Sequence, residues 1–366
     1  MKIVLYPLAC LPFVLTACGG GGGGPTVANG TLPIAPVDGQ LIAVQLGAQQ
    51  TTQSGAGGET LYNTSATEVQ ASQRTSVASP IEFTASVDED PARTPDSFGS
   101  ASRAYGFIDV DFTGQLAGVG GTPAEFTDLT DQAGSVYFEN GNFGDPESST
   151  SAQTQLQAVG VFNPAPIGSD QIVLSDVTTL RVESFDSGTN EGVFGVGFAG
   201  NYTQNMPTTG TATYRAFVEN GVTRYNSSSG LRIMGLTDPA NRGAAIEIDA
   251  DFAASTVNID LNGLQLLGQN AAGTAEIVLN PDVDGLIATG AITGNTFTGT
   301  DARFVNAADA EVGTRIGSQM IGGFFGDAAD ELASVVIIEG AMNIDDGTGT
   351  ASRDYIYSVT YGGERQ

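Results

Sequence analysis

The stretch "AIEIDADFAASTVNIDLNG", residues Ala245–Gly263, decides the fold. Ile246, Ile248, Ala250 and Phe252 alternate with Glu247, Asp249 and Asp251. After the short connection Ala253-Ala254-Ser255, Val257, Ile259 and Leu261 alternate with Asn258, Asp260 and Asn262. A period of two places every second side chain on the same face of a strand, whereas a helix repeats every 3.6 residues. Two such runs back to back predict an antiparallel hairpin with one face in water.

The same period extends outward from this hairpin. It recurs in "GTATYRAFV" (Gly210–Val218), and in "DYIYSVTY" (Asp354–Tyr361) it sets Tyr355, Tyr357, Val359 and Tyr361 on one side, where core packing is the expected role. Further strands are expected at Ala275–Leu279, Gly285–Thr293, Thr296–Thr300, Gly317–Phe325 and Val335–Gly340, and a single helical turn at Asp327–Ala333. Strands this closely spaced leave no room for crossover helices, which predicts a barrel or sandwich. The part of the chain before residue 201 is richer in Ser, Thr, Gln, Pro and Asp. It still carries strand-like pieces such as "AYGFIDVDFTG" (Ala104–Gly114) and "IVLSDVTTLRVESF" (Ile172–Phe185), and reads as a second β-rich domain.

Composition agrees with strands and turns. Of 366 residues 50 are Gly, 40% are hydrophobic and 15% charged, which suits a packed core but not a helical protein. Lys2 is the only lysine, so from Cys18 onward 12 Arg face 41 Asp and Glu, a net charge of −29. Nucleic acid is excluded as a partner, because no basic stripe can be built from these residues. The acidity reads first as a solubilising surface.

There is no His, and the two cysteines are Cys10 and Cys18. Both lie at the start, where Lys2 supplies a positive n-region and Ile3–Val14 an apolar stretch too short to span a membrane. Leu15-Thr16-Ala17-Cys18 then resembles the lipobox of bacterial lipoproteins, and the resemblance implies cleavage before Cys18 and lipidation, diacylglycerol and palmitate included, at that residue. Gly19–Gly30 forms a flexible tether with a reach of roughly 19 Å. Gly rather than Asp after Cys18 implies, by the same resemblance, sorting to the outer membrane. The expected organisation is a signal peptide over 1–17, a lipidated Cys and tether over 18–30, a β-rich domain over 31–200 and a barrel over 201–366.

Four stretches of the last part resemble the barrel domain of the transferrin-binding protein B family of surface lipoproteins: "MPTTGTATY" (Met206–Tyr214), "DFAASTVNIDLNG" (Asp251–Gly263), "ITGNTFTGT" (Ile292–Thr300) and "GGFFGDAADELA" (Gly322–Ala333). The resemblance implies an all-β chain, with an eight-stranded antiparallel barrel preceded by a handle-like β domain. That fold is shared with haem-, haemoglobin- and factor H-binding lipoproteins. The family's bilobed members carry two handle and barrel pairs and this chain has room for one. After Glu331-Leu332 the sequence continues "ASVVIIEG" where the family has small, glycine-rich residues. Family binding residues lie in variable loops, and none is carried over. Gly322-Gly323 is expected to mark a close strand approach or a bulge.

Chemistry is sparse. Without His, Cys or Lys in the mature chain the common nucleophile and base pairs are absent, and no carboxylate pair stands in an apolar setting that would split its pKa values. "NPDVDG" (Asn280–Gly285) and "NIDDGTGT" (Asn343–Thr350) cluster oxygen ligands, but such Asx-Gly runs are commonly turns and neither is a complete calcium loop. No catalytic residue, metal or cofactor is expected. The reading is a non-enzymatic, lipid-anchored outer-membrane binding protein, facing the exterior as a monomer, with a protein or a haem-like group as ligand. A structural or adhesive coat lipoprotein is the alternative, and a carboxylate-dependent hydrolase ranks last. Cys18, as the lipid acceptor, is the one site residue assigned.

Overall fold

A computed structural model of the chain describes residues 37–54, 60–69, 81–88, 106–111, 134–139, 142–144, 154–162, 174, 176–186, 191–238 and 245–366. Every regular element among them is a strand. The first nine are β1 (Val37–Ser54), β2 (Thr60–Glu68), β3 (Ile81–Asp88), β4 (Gly106–Asp111), β5 (Gly134–Glu139), β6 (Asn142–Gly144), β7 (Thr154–Phe162), β8 (Val177–Asp186) and β9 (Glu191–Gly200). They form one antiparallel sheet in the order β6-β5-β4-β3-β1-β9-β8-β7, with β2 paired to the far half of β1.

The remaining strands are β10 (Thr211–Ser227), β11 (Gly230–Thr237), β12 (Ile246–Asp251), β13 (Thr256–Leu261), β14 (Gln265–Gln269), β15 (Glu276–Asn280), β16 (Gly285–Thr293), β17 (Thr296–Gly299), β18 (Arg303–Val305), β19 (Thr314–Phe325), β20 (Glu331–Asp345) and β21 (Thr350–Arg365). Eight of them close into an antiparallel barrel, in the order β12-β13-β16-β17-β19-β20-β21-β10 and back to β12. The opening hairpin is β12–β13, with Ile248 opposite Ile259 and Ala250 opposite Val257, all turned into the barrel. Beyond a bulge at Val218/Asn220, β10 leaves β12 behind and pairs with β11, so that β11, β14 and β15 extend the sheet past the ring.

Aromatic rings fill the interior. Phe324 sits 5.4 Å from Phe297, 5.5 Å from Phe252 and 5.9 Å from Tyr214, and Phe304 packs 5.5 Å from Tyr355 and 5.2 Å from Tyr357, separations typical of tilted and edge-to-face pairs. Gly322 makes this packing possible on the inner face of the strand, and Gly323 makes room for a ring on the outer face. A Cβ on Gly322 would stand 2.0 Å from Phe297 Cζ, and one on Gly323 2.5 Å from Tyr202 Cε1, so the glycine pair is a seat for two rings.

The barrel's outer wall is buried too, along β10, β19, β20 and β21. There Phe217, Val222, Ile321, Val335, Ile337 and Ile356 share a core with Ile42, Val44, Leu46, Phe194, Val196 and Phe198 of the first sheet. Burying one such side chain is worth about 1.5–3 kcal/mol. Residues 331–340 of β20 are consequently buried on both faces. This is the reason that the sequence reading starts the strand at Val335 and places a helical turn at Asp327–Ala333. The alternation that marks a half-wet strand is missing, and residues 327–329 form a plain turn that leads into β20 at Glu331.

Two polar contacts fasten the first sheet to the barrel. Glu331 Oε2 accepts the backbone N–H groups of Asp176 (2.9 Å) and Val177 (3.1 Å), where β8 begins. At the other end of the joint the Asn226 side chain holds the backbone of Val69, just past β2. The connection from β9 into the barrel is also pinned, with Tyr202 bridged to Phe325 and the Thr203 hydroxyl donating to Gly326 O at 2.7 Å.

Candidate functional site

Three hairpin tips meet at one end of the barrel: the β10–β11 turn, the β14–β15 turn and the β20–β21 turn. Asp346 ties them together. Its carboxylate is fully buried and accepts hydrogen bonds from Ser228 N (2.7 Å), Thr348 N (3.1 Å), the Thr348 hydroxyl (2.5 Å) and Arg353 Nη2 (3.0 Å). Its backbone carbonyl accepts Ala271 N at 2.7 Å. One residue therefore bonds to all three tips.

Each tip is braced further. Arg232 donates from Nε (3.0 Å) and Nη2 (2.5 Å) to Ala271 O, and the Tyr225 hydroxyl donates to Gln269 O. Asn270 Oδ1 accepts Thr274 N at 2.9 Å, a side-chain bond across the turn that shapes the β14–β15 tip. The Ser228 and Thr348 hydroxyls lie 3.1 Å apart across the seam between two tips. Burial alone raises the pKa of a carboxyl group. At Asp346 that effect is outweighed by the hydrogen bonds from Thr348 and Ser228, and its pKa is held well below the ordinary carboxylate range.

The resulting end surface is polar and pre-shaped. Ser228, Ser229, Gly230, Gly273, Thr274, Gly347, Thr348 and Gly349 are exposed there, small residues on turns whose backbone is already hydrogen bonded. Such a surface is suited to contact with another macromolecule, since little entropy is lost in ordering it.

Of the residues singled out in the sequence, Cys18 lies outside the described residues. "NIDDGTGT" is the β20–β21 tip, where the Asp345 carboxylate accepts Gly347 N and the Asp346 carboxylate does the tying. In "NPDVDG", Asn280 Oδ1 accepts Asp282 N (2.9 Å) within the turn and Asp284 Oδ2 accepts Gly263 N (3.2 Å) from the loop after β13, so these oxygens hold backbone. No cluster of three or more potential metal-ligating side chains occurs among the described residues. Tyr355, Tyr357 and Tyr361 are buried in the barrel core. Burial raises the phenol pKa of Tyr357 and Tyr225 to about 12, pushes those of Tyr202, Tyr214 and Tyr355 higher still, and holds that of Tyr361 well above the ordinary phenol value.

Sequence reasoning noticed Asp346 only as part of a turn. A local Asx-Gly signal predicts the bond inside the tip, but nothing near Asp346 in the sequence points to Ser228 or Ala271.

Residues 206–365 match the family described as the C-lobe and N-lobe beta barrels of Tf-binding protein B. No curated protein matches the chain. Among solved structures, a mutant of the vaccine antigen transferrin-binding protein B from Haemophilus parasuis is similar at 12% identity, covering 91% of this chain and 77% of that one, with a TM-score of 0.28. A mutant of the same antigen from Actinobacillus pleuropneumoniae is 19% identical over 51% of this chain and 77% of its own, with a TM-score of 0.25. The family match spans the described barrel from just before β10 to the end of β21. The barrel formed by residues 206–365 is thus similar to the barrel domains of transferrin-binding protein B.

Proposed function

We propose that the chain is a lipid-anchored binding protein of the outer membrane, facing the exterior, that presents the Asp346-tied tips to a protein ligand. The observation that carries this reading is the buried Asp346 carboxylate, which joins three hairpin tips into one pre-shaped surface. The packed aromatic interior supports surface recognition over a solute held inside the barrel. The burial of Tyr214, Tyr225, Tyr355, Tyr357 and Tyr361 in the barrel core supports a protein over ferric haem, because none of these phenols is open to a ligand. The leader, Leu15-Thr16-Ala17-Cys18 and the glycine tether support the anchor. The proposed division is signal peptide 1–17, lipidated Cys and tether 18–30, handle-like domain 31–200 and barrel 201–366.

Two measurements test the reading. Metabolic labelling with a fatty-acid analogue should mark the wild-type chain and not Cys18→Ala; equal labelling of both would remove the anchor. For the surface, the protein should be used to capture ligands from host or environmental extracts in parallel with Ser229→Arg and Thr274→Arg, which place bulk on two tips. A ligand that is retained by the wild type and lost by both variants supports the site. One retained equally by all three places recognition elsewhere.

A further inference from the structure

Asn262-Gly263 is one of four Asn-Gly pairs in the chain, with Asn29-Gly30, Asn140-Gly141 and Asn220-Gly221. An Asn side chain is open to attack by the backbone nitrogen of the residue after it, and Gly permits this best because it has no Cβ to crowd the ring that forms. At this pair the Gly263 nitrogen bonds to Asn262 Cγ, the bond from Cγ to Nδ2 breaks, and Nδ2 leaves as ammonia with the proton that Gly263 gives up. Water then opens the cyclic imide at one of its two carbonyls and leaves aspartate or isoaspartate. One water is taken up and one ammonia released.

Asn29-Gly30 and Asn140-Gly141 lie outside the described residues. Gly221 sits in the β10–β21 ladder opposite Val359. Asn262 and Gly263 are exposed in the loop between β13 and β14, with Gly263 at a φ of 73° and open space where a Cβ would stand. Of the two described pairs, this is the one outside a ladder.

Two carboxylates hold its reacting groups. Asp284 Oδ2, from the turn between β15 and β16, accepts the Gly263 N–H at 3.2 Å, and Asp260 Oδ1 accepts Asn262 Nδ2 at 2.7 Å. The Asp284 backbone carbonyl also accepts Leu264 N at 2.7 Å, which fixes the loop against that turn. Attack requires the Gly263 nitrogen to lose its proton. Proton loss breaks the bond to Asp284 and builds negative charge beside a carboxylate, which Coulomb repulsion opposes. The Asp260 bond ties the side-chain amide to β13, and the ring closes only when that bond is given up.

We propose that Asn262 is a deamidation site of the folded chain and that Asp284 is the positioning residue that slows the reaction there. Asp284 reaches Gly263 from 21 residues away, so the restraint belongs to the fold and a short peptide lacks it. The loop feeds β14, whose far end leads into the Ala271 tip, and isoaspartate adds one carbon to the backbone of that connection. The proposal does not depend on what the tips bind.

The full chain, Asp284→Ala, Asp284→Asn and a synthetic peptide of residues 258–266 should be aged side by side at neutral pH, with aspartate and isoaspartate at position 262 measured by peptide mapping. The peptide is expected to convert fastest and the wild type several-fold more slowly. Asp284→Ala should approach the peptide, and Asp284→Asn, which keeps an acceptor and loses the charge, should fall between. Unchanged circular dichroism and melting of either variant separates a lost restraint from unfolding. A wild-type rate equal to that of the peptide overturns the proposal. So does a rate that is unchanged or slower in both Asp284 variants, or faster conversion at Asn220 than at Asn262 in the wild-type chain.

Discussion

The side-chain amide of Asn226 reproduces one rung of a β-ladder against the backbone of Val69. Asn226 Oδ1 accepts Val69 N at 3.0 Å and Asn226 Nδ2 donates to Val69 O, so a barrel side chain stands where a neighbouring strand would be. Val69 itself is buried, and neither of its backbone groups has water to fall back on.

Asn226→Ala is therefore expected to leave two polar groups unpartnered and to cost about 2–6 kcal/mol, at about 1–3 kcal/mol for each buried group that loses its partner. Asn226→Asp keeps the acceptor and loses the donor, and should fall between the alanine variant and the wild type. Denaturant unfolding with an unchanged m-value would measure both. Equal stability of all three proteins would show that the contact contributes nothing.

Asp346 gives stability a pH dependence of known sign. Its pKa in the folded chain is depressed, so the contribution is complete above the unfolded value of about 3.9 and is lost as the pH falls below it toward the folded value. Asp346→Asn should lower the melting temperature at neutral pH and flatten its acid dependence below about pH 4. Amide exchange should quicken at the tips, Ser228, Ala271 and Thr348, more than in β19 or β20. Uniform quickening would mean that Asp346 supports the whole barrel and not this end in particular.

The barrel ring closes its own backbone ladder, and a fragment of residues 201–366 has every strand of that ring. Closure removes edges but does not cover the outer wall. Phe217, Val222, Ile321, Val335, Ile337 and Ile356 would all face water. The fragment is expected to show barrel-like amide dispersion, to bind a hydrophobic dye strongly and to self-associate. A soluble monomer with no dye binding would show that the shared core is dispensable to the barrel.

Thr360 and Ser358 lie on that same outer wall, and their hydroxyl oxygens are buried without a hydrogen-bond partner among the described residues. Thr360→Val is nearly isosteric and removes one unpaired group, so it is expected to be neutral or to stabilise by about 1 kcal/mol. The same change at a hydrogen-bonded threonine such as Thr348, whose hydroxyl bonds Asp346, should destabilise instead. A loss at both positions would contradict the assignment of Thr360 as unpartnered.

Sequence by itself determined the strands that have one wet face. Ile248 and Ile259 announce themselves because Asp249 and Asn258 beside them must reach water, and the resulting period of two survives any arrangement of the sheet. It also determined that no imidazole takes part, since absent His residues cannot be supplied by folding. Tertiary structure alone decided where β20 begins, because its first ten residues are buried on both faces and show no alternation. It alone decided that Gly322 and Gly323 seat Phe297 and Tyr202, and that Asp346 reaches Ser228 and Ala271. Periodicity records how a residue meets solvent. Which distant residue it meets is settled by the closure of the barrel and the sheet laid against it, and no local pattern encodes that.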